Sequence, residues 1–225
     1  MKRLALLFIA LLVMAGCGSG GGGGDTGTPA VANTAAFSTS QMFPMTATPA
    51  TSFTLSGSDN AGGSWYGSWQ LRGDGQTVYE GQNLIKTTQQ IQLGLRGGSS
   101  SASTVVSYYR PDYSLYKAVY SGSTSGYAVQ TNNFTAPLSF KIGEILTGPS
   151  LTTYINGVTD SQTTRYQISD GGNGNAKVTA AVAYTSGLST ATTELVINPS
   201  GDLLTLKMVI QYPSQGRTVT LYGTR

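Results

Sequence analysis

From about Thr51 onward, apolar and polar residues alternate in short runs, the pattern of strands with one buried face. The clearest run is Ala176 to Thr185, in which Ala176, Val178, Ala180, Val182 and Tyr184 share one face while Lys177, Thr179 and Thr185 take the other. Leu203 to Tyr212 repeats it: Leu204, Leu206, Met208, Ile210 and Tyr212 oppose Thr205, Lys207 and Gln211. Further runs are Trp65–Leu71, Ile91–Leu95, Thr104–Tyr109, Leu115–Tyr120, Leu138–Ile142 and Thr218–Tyr222. Residues suited to tight turns or to positive φ separate most consecutive runs, among them Gly73-Asp74-Gly75, Pro111-Asp112, Gly171 to Asn175, Ser186-Gly187 and Pro199 to Asp202. Links this short force antiparallel neighbours, because a parallel crossover needs a dozen or more residues. The pattern therefore predicts an all-β domain, an antiparallel up-and-down meander of roughly 12 strands. A sheet of that size forms a curved sheet, a barrel or half-barrel, or a sandwich. The one long connection expected is Thr147 to Ser161. No window holds a 3.6-residue period, so almost no helix is expected in this region.

The first fifty residues read differently. Met1-Lys2-Arg3 is cationic, and Leu4 to Met14 is an uninterrupted apolar run. Eleven residues are too few to span a bilayer as a helix, and the arrangement is that of a secretory signal peptide over residues 1–16. At Ala15-Gly16-Cys17 the chain resembles a bacterial lipoprotein signal. The resemblance implies cleavage before Cys17, a diacylglyceryl group on its thiol, and acylation of the new amine in many bacteria. Two or more acyl chains hold a protein stably at a membrane, where one does so only marginally. Gly18, not Asp, follows the cysteine, which by the same resemblance implies delivery to the outer membrane of the cell envelope. Residues 17–50, rich in Gly, Thr, Ala and Pro, read as the lipidated cysteine and a flexible tether, whose coil would span roughly 30 Å. The folded domain is then 51–225, unless Phe37, Met42, Phe43 and Met45 dock as a first strand and bring the boundary nearer residue 36.

Composition narrows the chemistry. Thr and Ser supply 30 and 25 of the 225 residues, Gly another 30, and only 10% are charged. There is no histidine, and Cys17 is the single cysteine. Histidine-dependent triads, His or His/Cys zinc sites, Cys–His nucleophiles and an intramolecular disulfide are therefore excluded. Loss of residues 1–16 removes Lys2 and Arg3 and leaves 11 basic against 10 acidic groups. That is not the basic footprint of a nucleic-acid binder.

The candidate sites are few. Asp59, Asp74, Asp112, Asp160, Asp170 and Asp202 all fall in turn-like segments, where Asp caps its own backbone. Asp170 to Asn175 carries oxygen ligands but lacks the glutamate at position twelve of a calcium loop, where Ala181 stands. Glu80, Glu144 and Glu194 have no spacing that pairs them as a glycosidase requires. Lys86, Lys117, Lys141, Lys177 and Lys207 sit at solvent-facing strand positions and make poor bases for a serine nucleophile. The aromatics are the better lead. Trp65 and Trp69 share a strand face by period, as do Tyr116 and Tyr120, and Tyr109 and Tyr113 lie in the same tyrosine-rich stretch. Such ladders either fill a core or line a groove for sugars or an apolar cavity. The expectation is a lipid-anchored envelope lipoprotein with no catalytic residue, no metal and no cofactor, whose domain binds an apolar or polymeric ligand or plays a structural part. A surface polysaccharide-binding or adhesin module and a histidine-free hydrolase are the alternatives.

Overall fold

The computed structural model describes residues 35–225, Leu188 excepted. It is all-β, with fourteen strands: β1 Ala36–Ser38, β2 Thr51–Asp59, β3 Ser64–Tyr79, β4 Gln82–Leu95, β5 Ser100–Tyr109, β6 Leu115–Gly122, β7 Gly126–Gln130, β8 Ser139–Lys141, β9 Ile145–Ile155, β10 Val158–Gly172, β11 Asn175–Tyr184, β12 Thr190–Ile197, β13 Leu203–Tyr212 and β14 Arg217–Thr224. Twelve of them form a closed antiparallel barrel in chain order, sealed where β14 pairs with β2. The meander read from the alternation is thus present, and of the forms it allowed the chain takes the barrel. One 3-10 turn, Pro213–Gln215, is the only helical element among the described residues.

Chain order breaks once. Between β7 and β9, residues 131–144 leave the barrel wall, and their short strand β8 pairs with β1. Phe37 and Phe140, directly opposed in that ladder, are both fully buried. Phe140 meets Phe43 edge-on at 6.4 Å and lies 6.3 Å from Tyr166 of β10. Met42 and Phe43 join the same core. The segment 36–50 is therefore a strap that plugs one mouth of the barrel, and the folded body begins with β1, not at residue 51. Its anchors are polar: Ser38 N–H donates to Pro199 O at 3.2 Å, and Gln41 Nε2 to Asp202 Oδ1 at 2.6 Å. A few large apolar residues in a Thr/Ala/Pro-rich stretch were enough to dock it, because the barrel end offers them a dry seat.

The expected long connection at 147–161 is a hairpin instead. β9 and β10 are joined by Asn156-Gly157, with φ of 49° and 78°, and Ile155 opposes Val158. An Asn-Gly pair in that conformation makes the two-residue hairpin turn whose twist suits its strands.

Most inward positions are apolar and most outward ones polar. Along β11 and β12, Ala176, Val178, Ala180, Ala191, Leu195 and Ile197 are buried, while Lys177, Thr179, Thr192 and Glu194 fall on the other face. A barrel that crosses a bilayer shows lipid an apolar band and keeps polar residues inside, the reverse of this arrangement. The wall also closes tightly. A Cβ on Gly67 would lie 1.9 Å from Gln92 O, so β3 and β4 approach there only because the side chain is absent.

The lumen is not purely apolar. Gln89, Gln162, Thr87, Thr153, Thr164 and Thr193 are buried within it. Eight buried side-chain atoms among the described residues have no protein partner: Trp69 Nε1, both amide atoms of Gln89 and of Gln162, Tyr120 OH, Thr164 Oγ1 and Tyr184 OH. An unsatisfied buried polar group costs about 1–3 kcal/mol. Eight of them would consume the ~5–15 kcal/mol by which a domain is normally stable.

Candidate functional site

The β3–β4 hairpin is the longest in the barrel and bends at a bulge between Gly73 and Gly75. Asp74 braces the bend: Arg72 Nε lies 2.8 Å and Lys86 Nζ 3.4 Å from its oxygens, and Thr88 Oγ1 donates to it. Partial burial works against the Asp74 charge, but the Thr88 hydrogen bond and the two cations outweigh it and lower its pKa. At the tip, Glu80 and Gly81 make the turn with φ of 49° and 76°. The Glu80 carboxylate then reaches β6, accepting from Lys117 Nζ at 2.6 Å and from Tyr116 OH at 2.7 Å. Those two hydrogen bonds lower the pKa of Glu80, and the same contact raises those of Lys117 and Tyr116.

This clamp assembles an aromatic strip on the outer wall. Tyr79 from the hairpin stacks on Tyr108 of β5, with centroids 3.9 Å apart and planes 14° from parallel. Tyr127 of β7 stacks on Tyr154 of β9 at 4.7 Å and 26°, because the β7–β9 ladder sets them opposite one another. Between the two stacks Lys117 Nζ lies 5.6 Å from the Tyr79 ring and 5.1 Å from the Tyr127 ring, within cation–π range of both. Tyr127 and Tyr154 remain 39% and 38% exposed, a large aromatic area left open to solvent.

A groove of about 590 Å³ adjoins the same hairpin, lined by Gln76, Val78, Asn83, Leu84, Pro111 and Tyr113 among others. That volume is in the range of small-ligand sites. Tyr113 is held at φ 66°, a conformation that costs a bulky side chain about 1–3 kcal/mol. The turn that imposes it is tightly tied. Asp112 Oδ1 accepts the Ser114 N–H at 2.9 Å and its hydroxyl at 2.7 Å, and Tyr113 N–H donates to Arg110 O at 2.8 Å. The Ser114 bonds also lower the pKa of Asp112.

Of the aromatics singled out in the sequence, Trp65, Trp69, Tyr109 and Tyr120 are buried in the barrel, Tyr113 lines the groove and Tyr116 joins the clamp. Tyr116 and Tyr120 do not share a face. Tyr109 opposes Leu115 while Tyr108 opposes Lys117, so Tyr116 is an extra residue on β6, and this bulge breaks the period of two. Tyr79, Tyr108, Tyr127, Tyr154 and Lys117 are the members that the sequence reading did not bring together. Cys17 lies outside the described residues.

Asp59 is more than a turn cap. It accepts the backbone N–H of Ala61 at 2.9 Å and of Gly63 at 2.8 Å, but also Trp65 Nε1 at 2.8 Å and the Arg217 guanidinium, whose Nε lies 3.0 Å away. Burial opposes its charge, and these donors together overcome it and hold the carboxyl far below the usual range. Trp65, stacked under Arg217 at 5.2 Å, is thus a structural pillar of the mouth opposite the strap.

The lumen itself holds a narrow cavity of about 30 Å³ beneath the strap, bordered by Met42, Phe43, Trp69, Gln89, Tyr109 and Leu195 among others. It has room for a couple of waters and none for an acyl chain. Among the described residues no group of three acidic or sulfur ligands could hold a metal ion. Comparison with family models, curated proteins and solved structures finds no match to this chain.

Proposed function

We propose that the chain is a lipid-anchored lipoprotein of the cell envelope, delivered to the outer membrane, and that its barrel is a non-catalytic module binding a polymeric carbohydrate. The anchor reading rests on Ala15-Gly16-Cys17 behind a short apolar run. The binding reading rests on one observation: two solvent-facing tyrosine stacks, Tyr79–Tyr108 and Tyr127–Tyr154, bridged by Lys117 on a rigid wall. Sugar rings present apolar C–H faces to aromatic planes, and their hydroxyls suit amides such as Gln76 and Asn83 of the adjoining groove. A strip fixed in advance by a clamp loses little entropy on binding. An apolar ligand would need space inside the barrel, and the cavity beneath the strap is only about 30 Å³. No cofactor enters this reading, and the near-neutral mature charge gives no footing for nucleic acid.

The test is affinity electrophoresis of the protein through gels loaded with envelope and capsular polysaccharides. Wild type is retarded by at least one polymer, and Tyr127→Ala with Tyr154→Ala weakens that binding roughly tenfold, the ~1.4 kcal/mol scale of a lost aromatic contact. Absence of retardation on every polymer, or retardation untouched by the double substitution, removes the carbohydrate reading. The anchor has its own check. Cys17→Ser abolishes the mass increment of the acyl groups and releases the protein from the membrane fraction.

A further inference from the structure

Six residues carry the unpartnered buried atoms, and the ladders place them in two groups, one on β3 to β6 and one on β10 and β11. Trp69 and Gln89 border the cavity under the strap, together with the hydroxyl-bearing Thr87, Ser107, Tyr109 and Thr193. Val105 stands between Gln89 and Tyr120 across two ladders. Gln162 and Tyr184 are direct cross-strand partners, and Thr164 follows two residues along β10 on the same face.

We infer that the cavity under the strap is a built site for internal water, bound by Trp69 Nε1 and the Gln89 amide. The chemistry of the atoms selects such a guest. Trp69 offers a donor only, each glutamine amide offers both donors and an acceptor, and the hydroxyls can serve as either. A molecule that both donates and accepts, in several directions, satisfies all of them. Size selects it too: a water needs about 10–15 Å³ of free space and two to four polar partners, which a cavity of about 30 Å³ bordered by Trp69 and Gln89 supplies twice over. An organic guest of even a few carbon atoms does not fit without expelling Met42 and Phe43. Three of the unpaired atoms, Trp69 Nε1 and both amide atoms of Gln89, belong to residues bordering this cavity, and leaving each dry costs about 1–3 kcal/mol.

Water-selective NOE and ROE spectroscopy on the full chain tests this. Wild type gives long-lived water cross-peaks, of the sign of slow tumbling, at the Trp69 indole N–H and at the Gln89 side-chain NH₂ group. Gln89→Leu weakens the cross-peak at Trp69. Oxygen-17 relaxation dispersion on the unmodified protein needs no variant to fold, and counts at least two waters of long residence. A Trp69 indole without a water cross-peak and a dispersion without long-lived waters overturn the inference. So does a small organic molecule that stays bound through purification and is released on unfolding.

Discussion

Asp59 shows how a single polar residue can carry a mouth of the barrel. It ties the β2–β3 turn to β14 through Arg217 and fixes the Trp65 indole. Removing one partner of a buried charge pair leaves the other uncompensated, so Asp59→Asn is expected to cost roughly 3 kcal/mol in urea unfolding. The pH dependence follows from the same carboxyl. Its folded pKa lies below the unfolded value near 4, so the unfolded chain binds more protons as the solution is acidified. The stabilisation is complete above about pH 4 and is lost as pH falls below it. The difference in stability between wild type and Asp59→Asn therefore shrinks in that window, which parallel urea titrations at pH 7 and pH 3 will show. The sequence marked Asp59 as a turn residue because Asn60 and two glycines follow it; the distant Arg217, 158 residues away, is invisible to local pattern.

At the scale of elements, alternation was a faithful guide along β11 and along β13 from Leu206 onward, but Leu204, expected to face inward, is exposed and Leu203 is buried, because a register shift against β12 falls there. It failed at the irregular places. The bulge at Tyr116 shifts every later parity argument on β6, and the strap packs through Phe37, Met42 and Phe43 with no period at all. The strip was illegible for a related reason. Tyr79, Tyr108, Tyr127 and Tyr154 come from four strands and meet only through register, and Tyr79 turns outward because the bulge between Gly73 and Gly75 reverses the parity set by Trp65, Trp69 and Leu71. Register also predicts where the wall is intolerant. Gly67→Ala must push β3 from the Gln92 carbonyl, an overpacking expected to cost about 2 kcal/mol. Ser68→Ala next to it, on the outer face, should change the melting midpoint hardly at all. Thermal melts of the two variants side by side make the comparison.

For the whole molecule, twelve consecutive antiparallel ladders leave the barrel wall without an exposed edge, which removes the usual route to strand-by-strand aggregation. The price is paid inside, where a cylinder of this size needs stuffing: the strap and the 131–144 excursion supply phenylalanines, and polar side chains occupy the rest. The ladder between β14 and β2 makes the architecture a ring, and Arg225 touches Gln41 of the strap, Nη2 to Oε1 at 3.0 Å. A ring has no privileged place to start. Splicing residue 225 to residue 35 through a short Gly/Ser bridge, and cutting instead at the exposed Asn173-Gly174 turn, would yield a circular permutant with the same circular-dichroism spectrum and a single cooperative melt. The order in which this chain is written is then one of several that close the same cylinder.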